Sequence, residues 1–319
     1  MKYGNIKGID KPISRLVQGT VSMDGTDEAA DFAQLDAVYE LGCTTFDTAH
    51  VYGSGKNERA VGKWVNSRGL RDKVVIIGKG AHHNQDRKRV TPFDISADIH
   101  DSLARFGFDY IDLYLLHRDN PEVPVEPIVD VLNEHAEAGR IKVFGGSNWS
   151  PERIKEANAY AEKNGLIPFQ ISSPNFSLAE QFKEPWAGCL SISGKQGEAA
   201  RTYYLEQNMP LFTWSSLAGG FFSGRFTRDN LDSFSEYFDT LCVHSYCYEE
   251  NFQRLDRVRE MAQDKGLSVT QIAMAYVMNQ PLDIYALVGC RTPEEFKQNI
   301  EAMSLELSQE ELDWLDLRA

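Results

Sequence analysis

Short apolar runs take turns with longer stretches of helical periodicity along almost the whole chain. Residues 2–13 are polar, with Gly4, Gly8 and Pro12, and read as a hairpin or lid ahead of the fold proper. Residues 16–20 form a first strand, and 27–41 an amphipathic helix ended by Gly42. The apolar run 43–46 is a second strand. It opens into the loop 47–58, and helical periodicity resumes from Glu58 to end near Gly69. Residues 74–79 are a third strand whose last residue is a lysine, and Pro92 opens a helix over 93–106. Residues 110–117 make a fourth strand that ends on a histidine. A helix over 127–138 stops at Gly139, and 141–146 is a fifth strand. Pro151 begins a helix through Lys163, 168–172 is a sixth strand, 197–207 is helical and 210–215 is a seventh strand. A loop over 216–249 precedes helices at about 252–264 and 269–279. An eighth strand spans 284–289, and helices over 293–303 and 309–317 close the chain.

Eight apolar strands alternating with helices, with no composition break or linker, predict an α/β fold. The arrangement expected is one (β/α)8 TIM barrel over residues 1–319, with an N-terminal hairpin and extra helices. Runs this apolar suit strands buried on both faces. A doubly wound sheet fits less well, because no glycine-rich dinucleotide fingerprint follows the first strand.

Composition narrows the function. Of the 319 residues, 42% are hydrophobic and 25% charged, enough for a sizeable core. Lys and Arg number 33 against 47 Asp and Glu, a net charge of −14, so nucleic acid and anionic membrane are poor partners. An anionic cofactor would need a local basic pocket. Cys43, Cys189, Cys242, Cys247 and Cys290 have no Cys-x-x-Cys spacing and read as thiols of a reducing compartment. With no leader-like start and no run of about 18 apolar residues, the expected location is the cytoplasm.

Polar residues at strand ends carry the chemistry. Asp47, Lys79 and His117 stand at or just past the ends of the second, third and fourth strands, and Tyr52 lies in the loop after the second. In a barrel those ends share one rim. Each has a plain structural reading: a loop cap, a rim aromatic, a core histidine. A lysine ending an apolar strand, however, must find a partner. Tyrosine, with a pKa of about 10, is a weak acid-base catalyst near neutrality until a cation favours its phenolate. Lys79, held by Asp47, is expected to lower the Tyr52 pKa, with His117 orienting a substrate oxygen.

The chain resembles the aldo-keto reductase family. The likeness rests on the segments Phe46-Asp47-Thr48-Ala49 with Tyr52-Gly53, Asp112-Leu113-Tyr114-Leu115-Leu116-His117, and Gly139-Arg140-Ile141-Lys142 with Gly145 and Ser147-Asn148. It implies that Asp47, Tyr52, Lys79 and His117 are a catalytic tetrad reducing small carbonyl compounds with a nicotinamide cofactor. It implies that Ser147, Asn148 and Gln170 hold the carboxamide and that Trp214 stacks on the nicotinamide. Ser215, Leu217, Gly219, Gly224 and Arg225 would line the pyrophosphate loop. Gly289, Arg291, Gln298 and Asn299 would take the adenosine phosphate at a helix start. NADP is the cofactor so implied. Glu295, where many members carry Arg, Lys or Gln, leaves NAD open.

Rival motifs fail on spacing. Gly53-Ser54-Gly55 lacks the third glycine of a dinucleotide fingerprint, and Asn57 follows Lys56 where a phosphate loop needs Ser or Thr. No carboxylate or cysteine is spaced to complete a metal site with His82-His83, so no metal is expected. Two other functions share the fold. One is a nucleotide-sensing regulatory subunit like those of potassium channels. The other is an isomerase or aldolase using Lys79 as a Schiff base, which leaves Asp47 and Tyr52 unexplained. Phe176, Trp186, Phe221, Phe222, Tyr237, Tyr246 and Tyr248 are candidate pocket walls. The end of the sequence at Ala319, just after the last helix, implies an open, permissive site.

Overall fold

The computed structural model describes residues 1–318. Eight parallel strands close into a barrel in chain order: β1 (Leu16–Gly19), β2 (Thr45–Asp47), β3 (Val75–Gly80), β4 (Ile111–Leu116), β5 (Ile141–Ser147), β6 (Ile171–Ser173), β7 (Leu211–Thr213) and β8 (Ile284–Val288). Val288 of β8 pairs with Gln18 of β1, and Ala286 pairs with Thr213 of β7, which shuts the ring. Around it run α1 (Glu28–Glu40), α2 (Lys56–Arg68), α3 (Pro92–Phe106), α4 (Val125–Glu137), α5 (Pro151–Asn164) and α6 (Glu198–Glu206). The (β/α)8 barrel read from the apolar runs is the fold observed. Among the described residues no helix is long and apolar enough to cross a membrane.

Pleat alternation sorts the strand side chains into two layers. Val17, Val75, Ile77, Leu113, Leu115, Val143, Phe212, Tyr285 and Leu287 fill the barrel. Their neighbours Leu16, Ile76, Tyr114, Leu116, Phe144 and Leu211 face the helices. Each such side chain contributes about 1.5–3 kcal/mol on burial, which makes the interior a packed core. Ile6, Ile9 and Ile13 join the inner cluster from below. The N-terminal segment is therefore a hairpin, Tyr3–Gly4 against Ile13–Ser14, that plugs the barrel floor and is no lid over the mouth. Lys11 anchors it, donating to the Val74 carbonyl at 2.9 Å and to Asp112 at 2.7 Å.

Continued to the C-terminal ends, the same alternation puts Asp47, Lys79 and His117 on the inner face of the mouth. Each falls an even number of residues from an inward neighbour.

The region after β7 departs from the expected plain loop. It contains α7 (Tyr237–Tyr246) before α8 (Glu249–Lys265) and α9 (Val269–Met278). The α7 sequence lacks a side-chain cap at Glu236 and a clear apolar stripe, so local signals do not announce it. Packing does: Cys242 Sγ lies 3.5 Å from the Ala218 carbonyl, on a 3-10 turn over Ala218–Ser223. Strands β6 and β7 are also shorter than their apolar runs, with Pro168 to Gln170 and Trp214 to Ser215 outside the ladder. After β8, α10 (Pro293–Ala302) and α11 (Gln309–Leu315) complete the chain.

Candidate active site

The chain leaving β2 follows its neighbour upward. Thr48 donates to the Ile77 carbonyl through its amide (2.9 Å) and hydroxyl (2.6 Å), and the His50 amide donates to the Lys79 carbonyl at 2.8 Å. These bonds carry Tyr52 over the mouth. The chain then turns through left-handed Gly53, Ser54 and Gly55 into α2. A Cβ on Gly55 would fall 2.6 Å from the Arg105 guanidinium, so glycine is required there. Arg105 in turn holds buried Glu58 at 2.9 Å. The Gly-Ser-Gly stretch thus seats a helix and cradles no phosphate.

Asp47 and Lys79 are 4% and 3% exposed and in direct hydrogen-bonded contact. The Lys79 ammonium lies 5.3 Å from the centroid of the half-buried Tyr52 ring. The His117 ring stands edge-on to Tyr52, centroids 5.8 Å apart at 80°. The His117 amide donates to the Gly80 carbonyl at 2.7 Å, which fixes β4 against β3 at the mouth. All four residues singled out in the sequence therefore converge. The ammonium of Lys79 is clamped by a carboxylate, whereas a Schiff-base lysine needs a free amine.

The electrostatics differ from expectation at one point. Burial pushes the Tyr52 phenol well above its ordinary 10.0, the Asp47 charge adds to the rise, and Arg118 opposes it. With Asp47 in direct contact with it, the Lys79 ammonium does not offset this rise. Burial works against charge on both members of that pair, raising Asp47 and lowering Lys79, while each partner opposes the change in the other. Burial, then Lys79, Arg118, His82 and His83, hold His117 well below its ordinary 6.5. At neutral pH the site thus presents a protonated phenol beside a neutral imidazole, one proton donor and one hydrogen-bond donor.

The residues expected to hold the nucleotide lie at or after the ends of β5 to β8. Ser147 Oγ donates to the Ser173 carbonyl at 3.0 Å. Asn148, at φ +60°, joins three segments: its amide donates to the His117 carbonyl (3.2 Å) and to Ser147 Oγ (3.2 Å), and accepts from the Leu190 amide (3.0 Å). Gln170 precedes β6, its backbone amide donating to the Phe144 carbonyl at 3.0 Å and its side-chain Oε1 buried without a partner, while Ser173 pairs with Ser147. Trp214 packs on the inner core with its indole Nε1 buried and lacking an acceptor.

Beyond Trp214, the left-handed residues Ser215, Ala218, Gly219, Gly220 and Gly224 turn the chain repeatedly around Leu217, as an anion-cradling loop requires. A Cβ on Gly224 or Gly289 would meet nothing within 4 Å. Arg225 is bidentate to Asp239 at 2.8 and 3.1 Å, and Glu295 accepts from the Arg291 amide at 2.8 Å, beside the start of α10. Gln298 and Arg291 are exposed there, while Asn299 is buried with its Oδ1 unpartnered. An orphaned indole donor, a left-handed loop and two arginines at the β7–β8 rim suit a dinucleotide.

Sequence reasoning missed Arg118 and took His82 only as part of a failed metal motif, not as a neighbour of His117. The His82 ring lies 4.9 Å from that of His117, and Arg118 follows His117 directly. The signal for Arg118 was present: like Lys79, it is a cation at the end of an apolar strand. The aromatic wall is corrected. Phe176, Phe221, Phe222 and Tyr246 are core residues, and Tyr248 packs on Phe182 at 4.9 Å. Trp186 and Tyr237 alone of that set are largely exposed, joined by an indole-to-hydroxyl bond of 2.7 Å. Among the described residues no group of three His, Cys, Asp or Glu is placed to hold a metal ion.

The comparisons bear on the fold and the family. The chain is 29% identical over 324 residues to norsolorinic acid reductase A of Aspergillus parasiticus, covering 95% of this chain and 77% of that one. It is 28% identical to the aldo-keto reductase YhdN of Bacillus subtilis, covering 98% and 91%. The glycerol dehydrogenase AKR11B4 of Gluconobacter oxydans superposes with a TM-score of 0.77 at 23% identity, over 98% of this chain and 94% of that one, a likeness of fold. The model of the Aldo/keto reductase family matches residues 15–317. With that match spanning all eight barrel strands, the chain belongs to the aldo/keto reductase family of oxidoreductases.

Proposed function

We propose that this protein reduces aldehydes or ketones to alcohols, with Tyr52 as the proton donor. The observation that carries the reading is the convergence of the buried Asp47–Lys79 pair, the Tyr52 phenol and a neutral His117 at one mouth. A reduced nicotinamide dinucleotide supplies the hydride. Ser147, Asn148 and Gln170 would hold its carboxamide, Trp214 would stack on its ring, Ser215, Leu217, Gly219, Gly224 and Arg225 would line its pyrophosphate, and Gly289, Arg291, Gln298 and Asn299 would take its adenosine end.

As negative charge grows on the carbonyl oxygen, two donors already face it. The neutral His117 imidazole gives one N–H, which holds the oxygen and fixes the carbonyl plane. The Tyr52 phenol gives its proton to the same oxygen. Because these donors are fixed by β3 and β4 before substrate arrives, little reorganisation is needed when charge develops. The Lys79 ammonium, 5.3 Å from the Tyr52 ring centroid, stabilises the phenolate left behind, and Asp47 keeps that ammonium in place.

NADP(H) is the proposed cofactor, with NAD(H) also accepted. Arg291 offers a cation for a 2′-phosphate, but the Glu295 carboxylate occupies the neighbouring anion position at the start of α10. Purified protein assayed with NADPH and with NADH against small aldehydes tests the reading. Sustained oxidation of either cofactor, dependent on aldehyde, is expected. Tight dinucleotide binding without turnover would instead favour a sensing subunit.

A further inference from the structure

The tetrad leaves one buried charge unused. Arg118, the residue after His117, is 6% exposed. Its backbone is fixed, the carbonyl accepting from Trp149 Nε1 at 3.1 Å. Its guanidinium donates once, through Nη1 to the His117 carbonyl at 3.0 Å, and its Nε is buried with no partner. It makes no ion pair among the described residues, although carboxylates are close in sequence or space. Asp119 is held by Arg153 at 3.0 Å, Glu184 accepts from the Gly188 amide at 2.8 Å, and Asp47 is in contact with Lys79. An arginine with a rigid fork of five donors, enclosed and without a counter-ion, is costly unless something brings it an anion.

Its place in the mouth identifies where that anion would come from. The Arg118 head shares the His117 carbonyl with the Asn148 side-chain amide, at 3.0 and 3.2 Å, which sets it at the mouth beside the tetrad histidine, and its charge acts on Tyr52, Lys79 and His117. The pyrophosphate and adenosine residues are across the barrel, on β7 and β8, with Arg225 and Arg291 of their own. Tyr52 is a neutral phenol and offers no charge. With the chain's nearby carboxylates engaged and the cofactor's phosphates provided for elsewhere, substrate remains.

We propose that Arg118 anchors a carboxylate of the substrate, so that the preferred substrates are oxo acids: aldehydes or ketones that also carry an acid group. The planar fork matches the two oxygens of a carboxylate and fixes the molecule's direction in the mouth. With the acid on Arg118 and the carbonyl oxygen under Tyr52 and His117, two adjacent residues at the end of β4 would each hold one end of the substrate. The inference rests on the carbonyl-reductase reading of the same site.

The test uses matched acid and amide pairs of equal size: 4-carboxybenzaldehyde with 4-formylbenzamide, and 4-oxobutanoate with 4-oxobutanamide. Each is assayed at saturating cofactor with the wild type, Arg118→Met and Arg118→Lys. The wild type is expected to favour the acid by about tenfold or more in kcat/KM in at least one pair, mainly through KM. Arg118→Met should bring that ratio to about one, and Arg118→Lys, which keeps the charge without the fork, should retain part of it. Acid and amide within about threefold in both pairs for the wild type, or a preference that survives in Arg118→Met, overturns the proposal. Reduction of the amides by the wild type, and its loss in Tyr52→Phe, report on the reductase reading separately. If no aldehyde turns over, that reading fails, and calorimetric titration of NADP+-loaded protein with benzoate and benzamide decides on Arg118. Preferential benzoate binding lost in Arg118→Met supports the anchor, and equal binding of the two refutes it. Unfolding midpoints and NADP+ affinity of the variants show whether the fold is intact, and the wild-type ratio decides even if a variant fails to fold.

Discussion

The two sides of the barrel mouth handle charge in opposite ways. On β2 to β4, Asp47 and Lys79 are almost fully enclosed and in contact with each other. On the β7–β8 rim, Arg225 pairs with Asp239 with its side chain 46% exposed, and the exposed Glu295 caps the Arg291 amide. A buried pair is permanent, because breaking it strands a charge away from water. An exposed pair is worth little and exchanges readily. The tetrad side is therefore preassembled, whereas on the β7–β8 rim the exposed Arg225–Asp239 pair is free to exchange for another anion.

Removing a cation from each side breaks this comparison most sharply. Lys79→Met leaves the Asp47 carboxylate buried alone and is expected to lower stability by about 3–5 kcal/mol in urea unfolding. The double variant Asp47→Leu/Lys79→Met should regain most of that while remaining inactive. Arg225→Met, by contrast, should shift stability by less than about 1 kcal/mol. Equal losses from the two single variants would abolish the distinction.

A pH series sharpens it next. In the unfolded chain histidine takes up a proton near pH 6.5. In the fold, burial holds His82 and His135 down to about 4, and His117 well below its ordinary value. The folded pKa lies below the unfolded one. The stabilisation is thus complete above about pH 6.5 and is lost as the pH falls toward 4, by about 1.4 kcal/mol per pH unit for each histidine. His135→Gln, remote from the mouth, should make the decline between pH 6 and 5 shallower by about that amount for one group. A parallel decline in variant and wild type would contradict it. Because His117 stays neutral, kcat/KM should show no histidine inflection between about pH 5 and 8.

The smallest effect belongs to the rim. Glu295→Gln removes the carboxylate beside the start of α10 and should raise the preference for NADPH over NADH by about fivefold. Binding constants for the two cofactors measure it. An unchanged ratio would mean that the adenosine end lies elsewhere.

What could be read in the sequence follows from where the signal is local. A charged or polar residue closing an apolar strand marks the mouth, so Asp47, Lys79 and His117 were legible, and Tyr52 followed from its loop. Arg118 carries the same mark, a cation at the end of an apolar strand. Burial of aromatics is not local: Phe221 and Phe222 enter the core because α7 and α8 close over them, and α7 itself has neither cap nor stripe. The pairing of Arg225 with Asp239 depends on that same helix. The shift in Tyr52 was misjudged because the sequence shows Lys79 near it but not how closely Asp47 neutralises the ammonium.

The proposal that the enclosed side of the mouth delivers the proton meets its most direct test in Tyr52→Phe. Turnover of a small aldehyde and dinucleotide affinity are measured on the same preparation. The expected result is a loss of kcat by about two to four orders of magnitude with cofactor affinity unchanged. Turnover at the wild-type rate would show that the proton comes from another group.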